Sequence, residues 1–526
     1  MNKIKIGIIT NGKFVDKYTY ELANWLRIHN KYFDFRYFIS IPKEKKLLAK
    51  KKILKKIFFR LIIFFENLIL KLIKKHEDHL SKFDIKKILK KEIKVKILKK
   101  NKLHNKDLKE IKNKKFDILI RSSSNILTND FFKISKFGIL SYHHGDYKKF
   151  RGSPAGFWEV LKKERNTGFM IQIINKRLDY GNIILEGFLQ TKSFFLLNQA
   201  ELYKKSNIYL KKILLDFSKN KKFLFIKKRK KGKIYETPKV YNQIKYVCQT
   251  IKVLTKKIFV DNYNFKLALF KLDNISAPLI IKSDKKKFLA DPFLINHYDK
   301  TYCFAEEYDH VKKRGHIVCI NLNKQQPNKK IVLNENFHLS FPFIFKFKNN
   351  FFMCPDSSDI SEIRLYKSSN FPLKWRFYKT IKKNINSVDN IIFKKNNLWW
   401  LLTNIDRSNS QDFSHDLSIF FSKEGPLTHR WKSHPQNPIK INSLESRNAG
   451  LIFEKNKIIR VSQEQGFDNY GENINFHEIK LINKKEYVEE KIKNKNYLNI
   501  KKILNNSDIH HFSKINNSII VDFKSS

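Results

Sequence analysis

Cysteine is scarce and scattered. Four residues, at 248, 303, 319 and 354, form no CxxC pair, which argues against zinc or thioredoxin chemistry and against a disulfide framework. Long apolar runs are missing too. The most apolar stretch, 57–73, is interrupted by Arg60, Glu66, Asn67 and Lys71. It falls short of the roughly 18 uninterrupted apolar residues that a spanning helix needs. The first residues, MNKIKIGIITNG, lack the apolar core and cleavage site of a secretory signal, so the expectation is a cytoplasmic protein. Acidic residues are in deficit, with 49 Asp and Glu against 107 Lys and Arg, a net charge of +58. Such an excess attracts phosphate or an anionic membrane surface at long range. Lys, Asn, Ile and Phe are abundant throughout, as an AT-rich genome would also produce.

What is present is a folded chain. At 42% hydrophobic and 14% aromatic, it has enough apolar side chain to bury several cores, and disorder is excluded for most of its length. Its 526 residues are about three and a half times a usual domain. Apolar runs at 3–9, 33–41, 116–121 and 137–142 read as strands, with a helical pattern through Tyr20, Leu22, Ala23 and Leu26 after the first. Alternating strands and helices predict an open α/β sheet, with ligands beyond the carboxyl ends of its strands. A Lys-rich insertion spans 43–112. Its centre, KKILKKIFFRLIIFFENLILKLIKK, is an amphipathic helix that either packs on its own domain or lies on an anionic membrane. The basic run KKRKKGK at 227–233 reads as a solvated linker rather than a nucleic-acid site.

One stretch carries chemistry: GILSYHHGDYKKFRGSPAGFWEVLKKERNTGFMIQIINKRLDYGN, residues 138–182. A strand ends at Ser141-Tyr142-His143, a turn-rich loop carries Arg151-Gly152, and a helix follows from about 155. Thr167-Gly168 opens another strand, which leads to Leu178-Asp179-Tyr180-Gly181. Taken singly, His143 could be a core histidine, Asp179 a turn former and Arg151-Gly152 loop punctuation. In this order and spacing, the stretch resembles the folate-dependent formyltransferase family, which includes methionyl-tRNA and sugar-nucleotide formyltransferases. The resemblance covers about 1–205 and is most specific over 138–182. It implies N10-formyltetrahydrofolate as donor and no metal, with His143 as acid/base and Asp179 as its carboxylate partner. A histidine of ordinary basicity suits removal of a proton from an attacking amine. The family's oxyanion-donating asparagine is replaced here by Ser141, a shorter donor. The loop after FDILIR, with Arg121, Ser122, Ser123, Asn125 and Leu127, takes the position of the cofactor site. Arg151, Gly152 and His144 are candidates for contact with the acceptor.

From about 270 the texture changes to short aromatic and branched runs between polar turns. DPFLINHYDKTYCFAE, FPFIFKFKNNFFMCPD, DNIIFKKNNLWWLLTN and AGLIFEKNKIIRVSQE begin at Asp291, Phe341, Asp389 and Ala449, at intervals of 50, 48 and 60 residues. That is the period of propeller blades. A fifth blade can be closed by 262–282 with the last strand, SIIVDF. Two aligned columns emerge, Asp291, Phe341, Asp389 and Ala449, then fifteen residues later Glu306, Asp356, Asn404 and Glu464. With Arg447, these groups either converge on one sugar-binding funnel or anchor turns between blades. Trp399-Trp400 is expected to pack within a blade, because consecutive strand residues face opposite ways. The repeat resembles five-bladed propellers related to glycoside hydrolases, and more closely the module of glucosamine inositolphosphorylceramide transferases.

The expected organisation is a formyltransferase-like domain at 1–205, a connecting segment at 206–265 and a propeller at 266–526. The expected activity is formyl transfer to an amino sugar or sugar nucleotide, with the propeller recognising a small-molecule or glycan acceptor. Three alternatives remain open at this level: a methionyl-tRNA formyltransferase-like enzyme, a non-catalytic glycan- or membrane-binding protein, and a propeller glycosidase or glycosyltransferase. Nucleic acid is the less favoured partner.

Overall fold

Strand-forming runs near the N-terminus assemble one seven-stranded sheet. Its strands are β1 (Ile4–Thr10), β2 (Phe33–Ser40), β3 (Lys91–Lys94), β4 (Ile118–Arg121), β5 (Ile139–His144), β6 (Asn166–Ile174) and β7 (Asn182–Gln190). The spatial order is β7-β6-β5-β4-β1-β2-β3. The five strands from β5 to β3 are parallel, while at one edge β6 is antiparallel to β5 and β7 antiparallel to β6. Ile6, Ile8 and Ile9 of the central strand are fully buried, as expected of a parallel strand covered on both faces. The computed structural model describes residues 2–41, 50–95, 97–98, 102–123, 127, 129–175, 181–226, 232–259, 264–324 and 327–524.

The helices of this unit are α1 (Lys17–Ile28), α2 (Lys50–Leu72), α3 (Asn105–Asn113), α4 (Phe157–Leu161), α5 (Phe195–Asn220) and α6 (Val240–Phe259). Asp16 caps α1 by accepting from the Thr19 N–H at 2.8 Å. The Lys-rich insertion contributes α2 and the edge strand β3. That strand, KEIK, is too short and too charged to stand out in the sequence.

The stretch 206–265, expected to connect two halves, instead continues α5, adds the strand Lys233–Tyr235 and forms all of α6. Leu210, Leu214 and Phe217 are buried along α5, so its apolar stripe runs on past position 205 despite the surrounding lysines. The chain divides into two compact units, Met1–Ile258 and Phe259–Ser526.

The second unit is a five-bladed propeller of five sheets, four of four strands and one of five. The strands starting each blade are Lys287–His297, Ser340–Phe347, Ser387–Lys395, Asn448–Glu454 and Ile509–Ile515. Each touches the next, and the fifth returns to the first, closing the ring. The last blade joins both ends of the unit: Phe265–Lys271 pairs antiparallel with Ser518–Lys524. Closure of this kind leaves few strand edges unpaired. Trp400 is fully buried and Trp399 is only partly so, as the alternation of strand residues requires.

Candidate functional site

In the first unit the sheet reverses its order of strand addition between β1 and β4, the position at which open α/β sheets take ligands beyond the carboxyl ends of their strands. Thr10-Asn11-Gly12 leave β1 there, and Arg121-Ser122-Ser123 leave β4. Gly12 has φ +138°, and among the described residues nothing lies within 4 Å of where a β-carbon would stand. The Ser122 N–H donates to the Ile9 carbonyl at 2.8 Å, and its hydroxyl bonds to that of Thr19. Ser123 Oγ is buried with no hydrogen-bond partner among the described residues. Leu127, expected near the cofactor, is buried in the core with Ile9 and Ile39. Asn125 lies outside the described residues, as does Asp179.

Neighbouring β5 carries Ser141 opposite Gln172 and His143 opposite Met170 of β6. Residues two apart on a strand, and cross-strand pairs, share one face. One face therefore presents Ser141, His143 and Gln172 together. Ser141 Oγ donates to the adjacent Tyr142 carbonyl at 3.2 Å, and among the described residues no distant one claims it. The buried Gln172 Oε1 has no hydrogen-bond partner among the described residues. Sequence spacing had not singled out Gln172, because its position depends on cross-strand register.

His144 points the other way. Its Nε2 lies 2.9 Å from Ser206 Oγ on α5, and its ring sits 5.2 Å from Tyr142 and 4.5 Å from Tyr203. Burial, then the neighbouring His143, pushes its imidazole down to about 3. The strand's alternation thus corrects its expected role: His144 is a neutral packing residue against α5 and does not share the face of His143.

Several motif residues build the site without facing it. A β-carbon on Gly152 would lie 2.0 Å from the Tyr235 carbonyl oxygen, and one on Gly168 would lie 2.8 Å from the Asp146 backbone. The Arg-Gly loop is held by pairing of Phe150–Gly152 with Lys233–Tyr235, and Arg151 Nη1 donates to the Gly232 carbonyl at 3.4 Å. Thr167 Oγ1 accepts from Asn198 Nδ2 of α5 at 2.9 Å. Burial raises the Glu159 carboxyl to about 7, while its Oε1 accepts the Asp146 N–H just beyond β5.

The second unit holds a cavity of about 330 Å³. Phe265, Phe288, Tyr308 and His310 form aromatic lining, and Asp291, Glu306, Arg447, Tyr470 and His510 supply polar groups. Phe288 and Tyr308 are stacked with ring centres 5.0 Å apart. The fifth blade contributes His510 at the column of Asp291, Phe341, Asp389 and Ala449. A register break falls at this column in all five blades. Asp291, Phe341 and Asp389 adopt φ of 49°, 47° and 54° there, a left-handed conformation that side chains other than Asn and Asp rarely take.

Asp356 and Asn404 of the second column anchor blades to one another, as do Asp291 of the first column and Asp522 of the fifth blade. Asp522 Oδ2 accepts the Asp291 N–H at 2.8 Å, and Asp291 Oδ2 accepts the Phe341 N–H at 3.2 Å. Asp356 Oδ1 accepts the Asp389 N–H at 2.6 Å, and Asn404 Oδ1 the Asn448 N–H at 2.8 Å. Arg447 pairs with Asp389 at 2.6 Å and lies over the Tyr470 ring at 4.9 Å. Glu464 leaves the column. The register places Ser462 opposite Asn448, while Glu464 accepts from Asn475 Nδ2 at 3.1 Å. Equal spacing along the chain could not reveal the shorter bulge of the fourth blade.

Two carboxyl groups remain for the cavity, and their environments push them apart. Burial, then the charge of Asp291, raises Glu306 well above the usual carboxyl range. Burial opposes ionisation of Asp291 too, but the hydrogen bond and charge of His510 outweigh it and hold Asp291 low. His510 sits between Asp522 at 3.0 Å and Asp291 at 3.4 Å. Although burial disfavours its charge, these carboxylates raise it to about 10. Asp291, His510 and Asp522 are donor types that could hold a cation. Both His510 nitrogens face carboxylates, however, which is the environment of an imidazolium.

Residues 69–192 match the family described as Formyl transferase, and residues 276–517 match Glucosamine inositolphosphorylceramide transferase 1, N-terminal. The chain is 35% identical over 208 residues to Glucosamine inositolphosphorylceramide transferase 1 of Arabidopsis thaliana. That match covers 38% of this chain and 27% of the relative, so the chain spans about a quarter of that protein's length. Among solved structures, phosphoribosylglycinamide formyltransferase from Anaplasma phagocytophilum is 13% identical, covering 45% of this chain and all of that one at TM-score 0.29. The catalytic domain of the Coprinopsis cinerea GH62 α-L-arabinofuranosidase is 11% identical, covering 43% and 73% at TM-score 0.32. The architecture itself rests on the strand orders above.

Proposed function

From a chain in which a formyltransferase-like region is fused to a propeller like that of glucosamine inositolphosphorylceramide transferase, we propose a formyltransferase. It moves a formyl group from N10-formyltetrahydrofolate to the amine of an amino sugar or sugar nucleotide, and the propeller cavity recognises the glycan. The observation that carries this reading is the shared face of Ser141, His143 and Gln172, on the strand next to the switch point between β1 and β4. The Ser123 hydroxyl, which has no partner among the described residues, and the open space they leave at Gly12 suit a polar, ring-containing donor. That donor supplies the activated formyl carbon. His143 takes the proton from the acceptor amine, while Ser141 Oγ and the Gln172 carboxamide donate hydrogen bonds where negative charge develops. The amino-sugar acceptor is supported by the relatives' name, which carries glucosamine.

The test is consumption of N10-formyltetrahydrofolate with a panel of amino sugars and their nucleotides. Turnover should require the acceptor, and His143→Ala should lower it about a hundredfold or more. Equal turnover by the variant would remove His143 from the mechanism. A second reading is favoured by Glu306 and Asp291 lining one cavity, Glu306 held above and Asp291 below the usual carboxyl range, since an acid and a carboxylate facing one sugar are the pair that cleaves glycosides. Release of free sugar from a glycoside, abolished by Glu306→Gln, would establish it. Binding without release supports recognition.

A further inference from the structure

Helix α2 has two apolar faces, and the fold covers only one. Phe59, Ile62, Glu66 and Leu70 are buried, and they fall on one side at three- and four-residue spacing. Glu66 holds that side down. Its Oε1 accepts the Leu196 N–H of α5 at 2.7 Å, and its Oε2 accepts from Tyr246 Oη of α6 at 2.6 Å. The opposite side carries Leu54, Leu61, Phe64, Phe65, Leu68 and Leu72, with Phe64 63% and Leu72 75% exposed. Soluble surfaces rarely leave so continuous a ridge of large apolar residues uncovered.

The charge around this ridge says what covers it. Lysines 50–52, 55 and 56 occupy the first two turns, and Lys71, Lys74 and Lys75 follow at the other end. Arg60 and Lys71 are exposed beside the ridge. A second copy would bring another +58 charge against the same lysines, whereas an anionic bilayer offers both the apolar interior and the countercharge. A 23-residue helix is about 35 Å long. Yet no helix among the described residues is long and apolar enough to cross a membrane. We propose that α2 lies in the plane of an anionic membrane surface, with its Leu/Phe ridge embedded and its terminal lysines on lipid phosphates. This inference stands on α2 alone and holds whatever reaction the sheet performs.

The experiment is co-sedimentation of the full chain with phosphatidylcholine vesicles, with and without phosphatidylserine, at low and high salt. Binding is expected only with phosphatidylserine and should weaken with salt. The triple variant L61S/F64S/F65S removes three solvent-facing groups and should lower partitioning about a hundredfold or more without lowering the melting temperature. Should that variant fold poorly, K71E/K74E/K75E, which touches only exposed lysines, should also weaken binding to anionic vesicles. Equal binding by a folded variant, or equal binding to uncharged vesicles, would overturn the proposal. So would a concentration-dependent dimer in sedimentation velocity that the triple variant dissolves.

Discussion

Replacing Glu66 with glutamine should make the first unit more stable at mildly alkaline pH. The carboxyl group is buried between α5 and α6, and desolvation raises it to about 7 against the hydrogen bonds from Tyr246 and Leu196. In the unfolded chain the same group titrates near 4.5. Because the folded state binds this proton more tightly, Glu66 contributes fully below about pH 4.5, and its contribution is lost as pH rises through about 7. At 1.36 kcal/mol per unit of pKa, the whole span is about 3 kcal/mol. Glutamine keeps an acceptor for the Leu196 N–H, and its amide N–H, like the O–H of the protonated acid, donates to the Tyr246 oxygen in place of the bond that Tyr246 gives the carboxylate. The variant should therefore match the native protein near pH 5 and exceed it by about 2–3 kcal/mol near pH 8. Chemical unfolding of the full chain at both pH values measures this, with hydrogen exchange of peptides 50–72 and 195–220 reporting the helices concerned. Parallel loss of stability in both proteins would refute the reasoning, because it would place the Glu66 proton outside the folding equilibrium.

If the Gln172 carboxamide serves where Ser141 is short, Gln172→Leu should lower turnover by about 2–4 kcal/mol in the barrier. Ser141→Ala should then cost less, and steady-state kinetics of the two variants would decide between them. Asp356→Ala strips the buried Asp389 N–H of its acceptor and should cost about 1–3 kcal/mol in the propeller's unfolding transition. Asp291→Asn keeps the acceptor for the Phe341 N–H but removes the charge facing His510. Calorimetry should show weakened binding of amino sugars to Asp291→Asn with little change in melting temperature, and a large fall in melting temperature would assign Asp291 to blade anchoring alone.

The local order of residues was enough to read five of the seven sheet strands, all but β3 and β7, together with the motif from Ser141 to Gly181 and the repeating blades. Each of these depends on short-range periodicity: two residues on a strand, three to four on a helix, about fifty between blades. Closure of the ring was legible as well, since SIIVDF and 262–282 are lone strands needing partners. The composition of the cavity was not. His510 reaches it, backed by Asp522, from a blade split between the two ends of the unit, with no repeat to align them. Ser462 takes the position that equal spacing gave to Glu464, because the fourth blade breaks register over fewer residues. Gln172 enters the first site by pairing with Ser141, and His144 leaves it through the pleat of β5. Side-chain alternation is written along one strand. Which strands pair, and where a bulge shifts their register, is settled by backbone hydrogen bonds between residues far apart in the chain, and those contacts exist only once the whole unit has closed.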